Sequence, residues 1–550
     1  MRALLLVVLV GCASSAAIPQ VRFANAPPVL SVDDRRDTPN KPEKRLSSPK
    51  LATFEGHIYF PIRRALSLDQ RLRALGVNAL DEVPDSSWFT NRIGTRTITP
   101  DEISAAPGGV GSPEAHVPWT IHSTKVGGMT VGFIVSDSRG EKFLVKFDDR
   151  GFPEAETGAQ IVSGKLLWAC GYNVTEDYIA YVKRSDFVLA EDAVAEDVFG
   201  NKHHLGITEL ERKLALVDRG PDGRYRTMVS RMLDGKPLGS HGSVGTRDDD
   251  PNDIIPHERR RDLRGARAIF AWLDHDDVQE GQFIDMWVED PNVRTRHYVK
   301  HYFLDYGLSL GVMALVTHNL RRSYEYYIDG EALLDALFSF GLQDRHWAKR
   351  RAPDLRGVGV LETKAFAPDK WKPLGPVYVP FVVADRFDNY WGAKLVMRFT
   401  REQIHAAVEA GRYSDPRAVD YITDALVARQ RSTGAYWFSR VNPLESFVIG
   451  DDGSLCFDDL LLTYRFAKPD TTTYTLQSYD TKARRVGGKI RLGASDNGRT
   501  CARIRLASDR DRYTIVRIDT ARSRDVGTIY VHLANTPGTG VPRVIGIWRP

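Results

Sequence analysis

Cysteine is scarce, four residues in a chain of 550. Cys12 falls in the amino-terminal apolar run, which leaves Cys170, Cys456 and Cys501. Three such residues allow one disulfide, exclude a disulfide framework and show no metal-ligand spacing. Cys170 ends an apolar helical pattern and reads as a core residue. An excess of charge is also missing: 75 basic against 71 acidic residues give a formal net charge of +4. Nothing here marks a nucleic-acid binder, and the short basic runs Arg259-Arg260-Arg261 and Lys349-Arg350-Arg351 read as solvated surface. Beyond the first residues no apolar run reaches the ~18 residues that span a bilayer. There is no H-E-x-x-H, no G-x-S-x-G and no internal repeat, which argues against a zinc protease, a serine hydrolase or a solenoid. His203 and His204 are adjacent and would face apart on a strand, so they form no ligand pair.

What is present is ordinary globular composition, 42% hydrophobic and 27% charged, at a length that suggests about three domains. Met1-Arg2 followed by Ala3 to Val10 has the form of a signal-peptide core, and Leu9-Val10-Gly11-Cys12 resembles the bacterial lipobox. That resemblance implies lipidation of Cys12 and a cell-envelope address, with Ala13 in place of Asp suggesting the outer membrane; cleavage near Ala16-Ala17 and secretion is the alternative. After this leader (1–20), residues 21–52 are polar and aperiodic and read as a flexible linker. A preface follows over 53–115, with a short helix suggested by Leu66, Leu68, Leu72 and Leu75 and a polar-aromatic stretch from Asn78 to Arg92 expected to pack against the next lobe.

The chemistry concentrates in two stretches. Downstream, a helix with Leu263, Ala266, Ile269, Phe270 and Leu273 on one face runs into His275-Asp276-Asp277, and Gln282 comes five residues after Asp277. Tyr302-Phe303-Leu304 then precedes Asp305-Tyr306-Gly307. The crowded carboxylates Asp274, Asp276 and Asp277 call for a cation, for which Mg²⁺ or Mn²⁺ is the natural choice; Asp274 and Asp276 read equally well as turn caps. Upstream, Lys125 to Gly132 reads as a strand with a glycine turn at Gly127-Gly128, and a hairpin leads to Lys146 at the end of its second strand. Pro153 then opens a helix carrying Glu154, Glu156 and Gln160.

This order of glycine hairpin, strand lysine, acidic helix, H-x-D loop and D-x-G strand resembles the protein-kinase-like superfamily, and its atypical bacterial members of the HipA and spore-coat CotH types more than eukaryotic kinases. The resemblance covers roughly 117–340. It implies a bilobal α+β fold, with a β-rich N-lobe over 116–235 and a helical C-lobe over 236–466. It also implies ATP and Mg²⁺ or Mn²⁺ as cofactors and transfer of the γ-phosphoryl to a protein or small-molecule hydroxyl. Asp277 would accept the acceptor's proton, with His275 beside it in the catalytic loop. Asp305 and Gln282 would hold metal, Lys146 and the Gly127-Gly128 turn would hold phosphates, and Glu154, Glu156 or Gln160 would fix the lysine. Gln282 stands where the family has Asn, and an extracytoplasmic address is poor in ATP. A catalytically inactive kinase fold, or a structural envelope lipoprotein, is therefore the alternative. Past Lys468 alternating strands between Gly, Asp and Asn turns predict an antiparallel β-sandwich over 467–550.

Overall fold

The structure is a computed structural model. It describes residues 18–45, 54–59, 62, 66, 72–125, 130–196, 201–342, 344–373, 375, 378–509, 511–522 and 527–550. Two compact units emerge. One comprises Val29–Asn78 and Glu82–Trp437; the other comprises the described residues of Met1–Pro28 with Ala79–Asp81 and Phe438–Pro550.

The larger unit is bilobal and α+β. Its first lobe starts with α1 (Pro100–Ala105), held by a capping box between Thr99 and Glu102. It continues through β1 (Trp119–Thr124), β2 (Gly132–Ser136), β3 (Lys142–Lys146), α2 (Ala155–Cys170), β4 (Asp177–Val182), β5 (Phe187–Glu196), β6 (Lys202–His204), α3 (Ile207–Leu214) and β7 (Tyr225–Arg231). The sheet order is β4-β7-β3-β2-β1-β5-β6. The lysine strand β3 thus lies between the hairpin partner β2 and β7, which leads out to the second lobe. The polar insertion after β4 adds β5 and β6 at the β1 edge, β5 pairing with β1 in parallel. Leu210 and Leu214 of α3 join Phe133, Phe143, Val145 and Phe147 in one core on the sheet.

The second lobe begins with β8 (Lys236–Gly239), α4 (Arg261–Leu273), β9 (Phe283–Glu289) and β10 (His297–Phe303), the three strands pairing in the order β10-β9-β8. It closes with α5 (Arg386–Met397), α6 (Arg401–Glu409) and α7 (Pro416–Phe438). α4 is buried almost throughout, its Leu263, Ile269, Phe270 and Leu273 each under 2% exposed. At about 1.5–3 kcal/mol per fully buried side chain of this size, α4 is the anchor of the lobe. α5 crosses it closely: a Cβ at Gly392 would sit 2.2 Å from the Gly265 carbonyl oxygen.

Two sequence expectations change here, and a third goes untested. Residues 29–45, read as part of a flexible linker, lie along this unit. The Asp34 carboxylate accepts from Ser87 N and Oγ (2.9 and 2.7 Å), Thr38 N donates to His297 O (2.7 Å), and Arg45 N donates to Leu238 O (2.7 Å). Backbone hydrogen bonds, which composition does not reveal, hold this polar strap. The helix expected around Leu66 to Leu75 lies mostly outside the described residues. The region read as helical up to 466 contains two strands, β11 (Leu444–Ile449) and β12 (Ser454–Asp459).

Those strands belong to the smaller unit, which continues with β13 (Thr473–Tyr479), β14 (Arg485–Gly493), β15 (Arg499–Arg503), β16 (Thr514–Ala521), β17 (Thr528–Asn535) and β18 (Pro542–Trp548). A three-stranded sheet, β11-β12-β15, and a five-stranded sheet, β14-β13-β16-β17-β18, share one core. Leu455 and Phe457 of the first meet Leu476, Val516, Ile518 and Val531 of the second, the arrangement of an antiparallel sandwich. Cys456 and Cys501, paired across β12 and β15, form a disulfide, and Cys170 is a buried free thiol in α2. Among the described residues no helix is long and apolar enough to cross a membrane; Cys12 lies outside them.

Candidate active site

Lys146 is the last residue of β3, paired in register with Met228 of β7. Its ammonium donates to Asp305 Oδ1 at 2.7 Å, joining residues 159 positions apart. Asp305 follows β10 with a positive φ of 58°, a conformation costly for a residue with a Cβ and common at functional sites. Its side chain is 47% exposed. Burial opposes ionisation, yet the charge and hydrogen bond of Lys146 hold its carboxyl below the usual range. Gly307 then passes so close to α2 that a Cβ there would lie 3.3 Å from the Glu156 carbonyl.

The start of α2 decides which acid faces the lysine. Asp148 closes the helix end from outside, accepting from Glu154 N (2.9 Å), Thr157 N (2.9 Å) and Thr157 Oγ1 (2.8 Å). Glu154 occupies the cap with φ 71°, which turns its side chain to Arg356 (2.8 Å) and Ser414 N (2.8 Å). It is not a partner of Lys146, and the expectation that it fixes the lysine is corrected. Glu156 lines the cleft with Lys146, Gln160, Asp305 and Gly307, but no hydrogen bond joins it to Lys146 among the described residues. Burial first, then the charges of Asp149, Asp148 and Asp305, push its carboxyl up to about 8 against the pull of Lys146. Gln160, one turn further on, does the bridging. Its Nε2 donates to Asp177 Oδ2 at 2.7 Å and its Oε1 accepts from Tyr306 N at 2.6 Å. The helix is thereby pinned to the residue after Asp305.

α4 ends at Asp274 in the left-handed conformation (φ 52°), where Arg429 donates to its carboxylate at 3.1 Å. That is the turn-cap role. His275 is fully buried between Phe270 and Tyr306, and neither ring nitrogen has a hydrogen-bond partner among the described residues. Burial pushes its pKa down to about 4. It is a neutral packing element of the loop, which corrects its assignment as catalytic: a ring with no route to solvent or substrate carries no proton for the reaction. Asp276 is buried too and pushed up to about 8 by burial, against the pull of Arg322. Asp277 accepts from Gln282 Nε2 at 2.8 Å, while Gln282 O accepts from Leu304 N at 2.8 Å and so ties the loop to the strand end before Asp305. Burial and the Asp305 charge raise the Asp277 carboxyl, partly offset by Gln282.

The predicted residues Lys146, Glu156, Asp277, Gln282 and Asp305 therefore occupy one neighbourhood. Gly127 and Gly128 lie outside the described residues; the flanking Lys125 Nζ donates to Thr130 Oγ1 at 3.0 Å. Burial lowers the Lys125 pKa, and Lys146, Asp305, Glu156 and Asp149 all act on its charge. Sequence reasoning passed over Lys125, Asp148 and Asp149. The signal was there, since Asp148-Asp149 follows Lys146-Phe147 directly. Asp305 and Gln282, the residues expected to hold metal, offer oxygens of the hard kind that Mg²⁺ or Mn²⁺ takes.

A second group of metal-capable side chains is His241, Asp285 and His301, all buried. Asp285 Oδ1 meets both imidazoles, at 3.2 and 2.7 Å, and Oδ2 meets Arg247 at 3.5 Å, while Trp88 stacks on His301 at 3.4 Å. The carboxylate is fully engaged by protein donors, so this is a structural network.

No family model matches the chain, and no curated protein matches it. Solved structures similar to it are kinases. A Helicobacter pylori proinflammatory kinase, CtkA, has 11% identity and a TM-score of 0.29, over 57% of this chain and 93% of that one. A Golgi casein kinase with Mn and ADP bound has 10% identity and a TM-score of 0.28, over 58% and 71%. A Rio2 kinase–ADP/Mg²⁺–phosphoaspartate complex from Chaetomium thermophilum has 12% identity and a TM-score of 0.21, over 57% and 72%. At identities and TM-scores this low, the roles of individual residues rest on the distances above.

Proposed function

We propose that the chain is an atypical, metal-dependent kinase that transfers the γ-phosphoryl of a nucleoside triphosphate to a hydroxyl on a protein or small molecule. The observation that carries this reading is the 2.7 Å contact between Lys146 and Asp305, with Asp277 held beside them by Gln282. Lys146 would bind phosphate oxygens, and Asp305 with the Gln282 amide oxygen would hold a divalent cation that neutralises phosphate charge. Asp277 takes the proton of the acceptor hydroxyl as its oxygen bonds to phosphorus and the bond to the nucleoside diphosphate breaks. Raising the Asp277 pKa by burial suits a base that must take up a proton. Positioning and electrostatics supply most of the acceleration. The lipobox-like Leu9-Val10-Gly11-Cys12 supports an envelope address with Cys12 lipidated and the chain tethered to a membrane.

One observation favours a second reading, a nucleotide-binding scaffold without transfer: the Gln282 amide is committed to Asp277 by its nitrogen. The test is thermal unfolding of the chain after residue 17 with ATP, with and without Mg²⁺ or Mn²⁺. A ligand at a hundredfold excess over Kd stabilises by about 2.7 kcal/mol. A metal-dependent rise in Tm that disappears in Asp305→Ala is expected, together with turnover that Asp277→Ala abolishes while binding survives. Binding without turnover selects the scaffold; no shift with any nucleotide sinks both readings.

A further inference from the structure

A second cavity in the kinase-like unit, of about 270 Å³, shares no lining residue with the Lys146–Asp305 cleft. Its walls come from the β7–β8 connection (Met232 to Asp234), the C-terminal end of α2 at Trp168, and Lys300 and Tyr302 of β10. The acids on its rim are already matched. Arg231 pairs with Asp234 at 3.1 Å and approaches Glu176 at 4.0 Å, and Glu176 Oε1 also accepts from Tyr178 OH at 2.6 Å.

The cations are not matched in the same way. Arg92 donates to two backbone carbonyls, Trp168 O (2.7 Å) and Tyr172 O (3.3 Å), and lies over the Trp168 ring, so no carboxylate takes up its hydrogen bonds. Lys300 makes no hydrogen bond or ion pair among the described residues; its ammonium rests 5.1 Å from the centre of the Tyr302 ring. Burial and the neighbouring charges of Arg35 and Arg92 disfavour its proton, and Asp234, already paired with Arg231, offsets them only in part. A lysine held half-buried beside two arginines is stabilised by an anion.

We infer that this cavity is an anion site for a phosphate-bearing small molecule, with the phosphate between Lys300 and Arg92 and the remainder against Trp168 and Tyr302. Phosphate offers several acceptor oxygens to convergent donors, and the aromatic walls suit a flat or apolar remainder. The site would act as an effector site, because β10 runs directly into Asp305 and the β7–β8 connection joins the two lobes.

The experiment is calorimetric titration of the chain after residue 17 with inorganic phosphate, beside Lys300→Met, Lys300→Arg and Lys146→Met. Lys300→Met should weaken phosphate binding about tenfold or more and Lys300→Arg should restore most of it, in the wild-type and in the Lys146→Met background alike. Without phosphate, Lys300→Met should melt at or above the wild-type temperature, which excludes misfolding as the cause. Equal binding by wild type and Lys300→Met, dependence on Lys146 instead of Lys300, or no phosphate binding at all would each overturn the proposal. The readout is binding alone, so it stands or falls apart from phosphotransfer.

Discussion

Two clusters in the larger unit each centre on an aspartate and are arranged for opposite ends. Around Asp285, two imidazoles and a guanidinium engage both carboxylate oxygens, and the group is sealed from solvent beneath Trp88. Around Asp305, one ammonium meets one oxygen, the side chain is about half exposed, Lys125 stands near, and Glu156 and Asp277 crowd close with their carboxyls raised. Saturation marks the first as architecture. Acids that burial and one another hold back from ionising, gathered on an open cleft, mark the second as a place for a cation and its ligand.

The contrast can be broken from the larger effect to the smaller. Asp285→Asn should remove the carboxylate shared by His241 and His301, and one of the two acids beside Arg247, and cost about 3–5 kcal/mol, read as a lower urea midpoint. Although burial opposes it, the imidazoles of His301 and His241 hold the Asp285 carboxyl well below its usual value. Its stabilisation is therefore present above the ordinary carboxylate range and lost as pH falls through the depressed value. Acid should next expose His275. Its folded pKa of about 4 lies below the ordinary 6.5, so its contribution is present above about pH 6.5 and lost as pH falls to about 4. The difference is worth about 3 kcal/mol. His275→Phe should flatten that part of the stability–pH curve, and a curve unchanged by the substitution would show that the ring does not titrate in the core.

Gln160→Leu comes third, at about 1–3 kcal/mol, because it strands Tyr306 N and the buried Asp177. It should also weaken Mg²⁺-ATP binding, whereas Asp285→Asn assayed well below its melting temperature should not. Asp305→Ala should change stability least, within about 1 kcal/mol, since a half-exposed pair contributes little. It should nonetheless remove the nucleotide-dependent rise in Tm entirely. Equal losses from Asp285→Asn and Asp305→Ala would erase the distinction between the clusters.

The parts of the site legible in the sequence were those set by local grammar. Lys146 ends an alternating strand, and Asp277, Gln282 and Asp305 stand at fixed spacings on either side of β9 and β10. The choice among Glu154, Glu156 and Gln160 was not legible, because the helix start is fixed by Asp148, six residues before Glu154. Helical phase follows from that cap, and one residue of phase decides whether a side chain faces the cleft or Arg356. His241, Asp285 and His301 escaped notice for another reason: they come from three separate segments, and only the pairing of β8, β9 and β10 brings them together. In the sandwich, the turn pattern found the central strands; β11 and β12 were missed because they directly follow a long helix.

The sandwich is assembled from both ends of the described chain. Phe23 N donates to Tyr513 OH at 2.9 Å, its ring packs edge-on to His532 at 4.9 Å, and Asn25 Nδ2 donates to Asn535 O at 2.9 Å, the two hydrogen bonds spanning separations of 490 and 510 residues. On the ribosome, Phe23 emerges on the order of a minute before its partners are synthesised. The seam between residues 18–28 and β16–β18 can therefore close only once both ends of the chain are made.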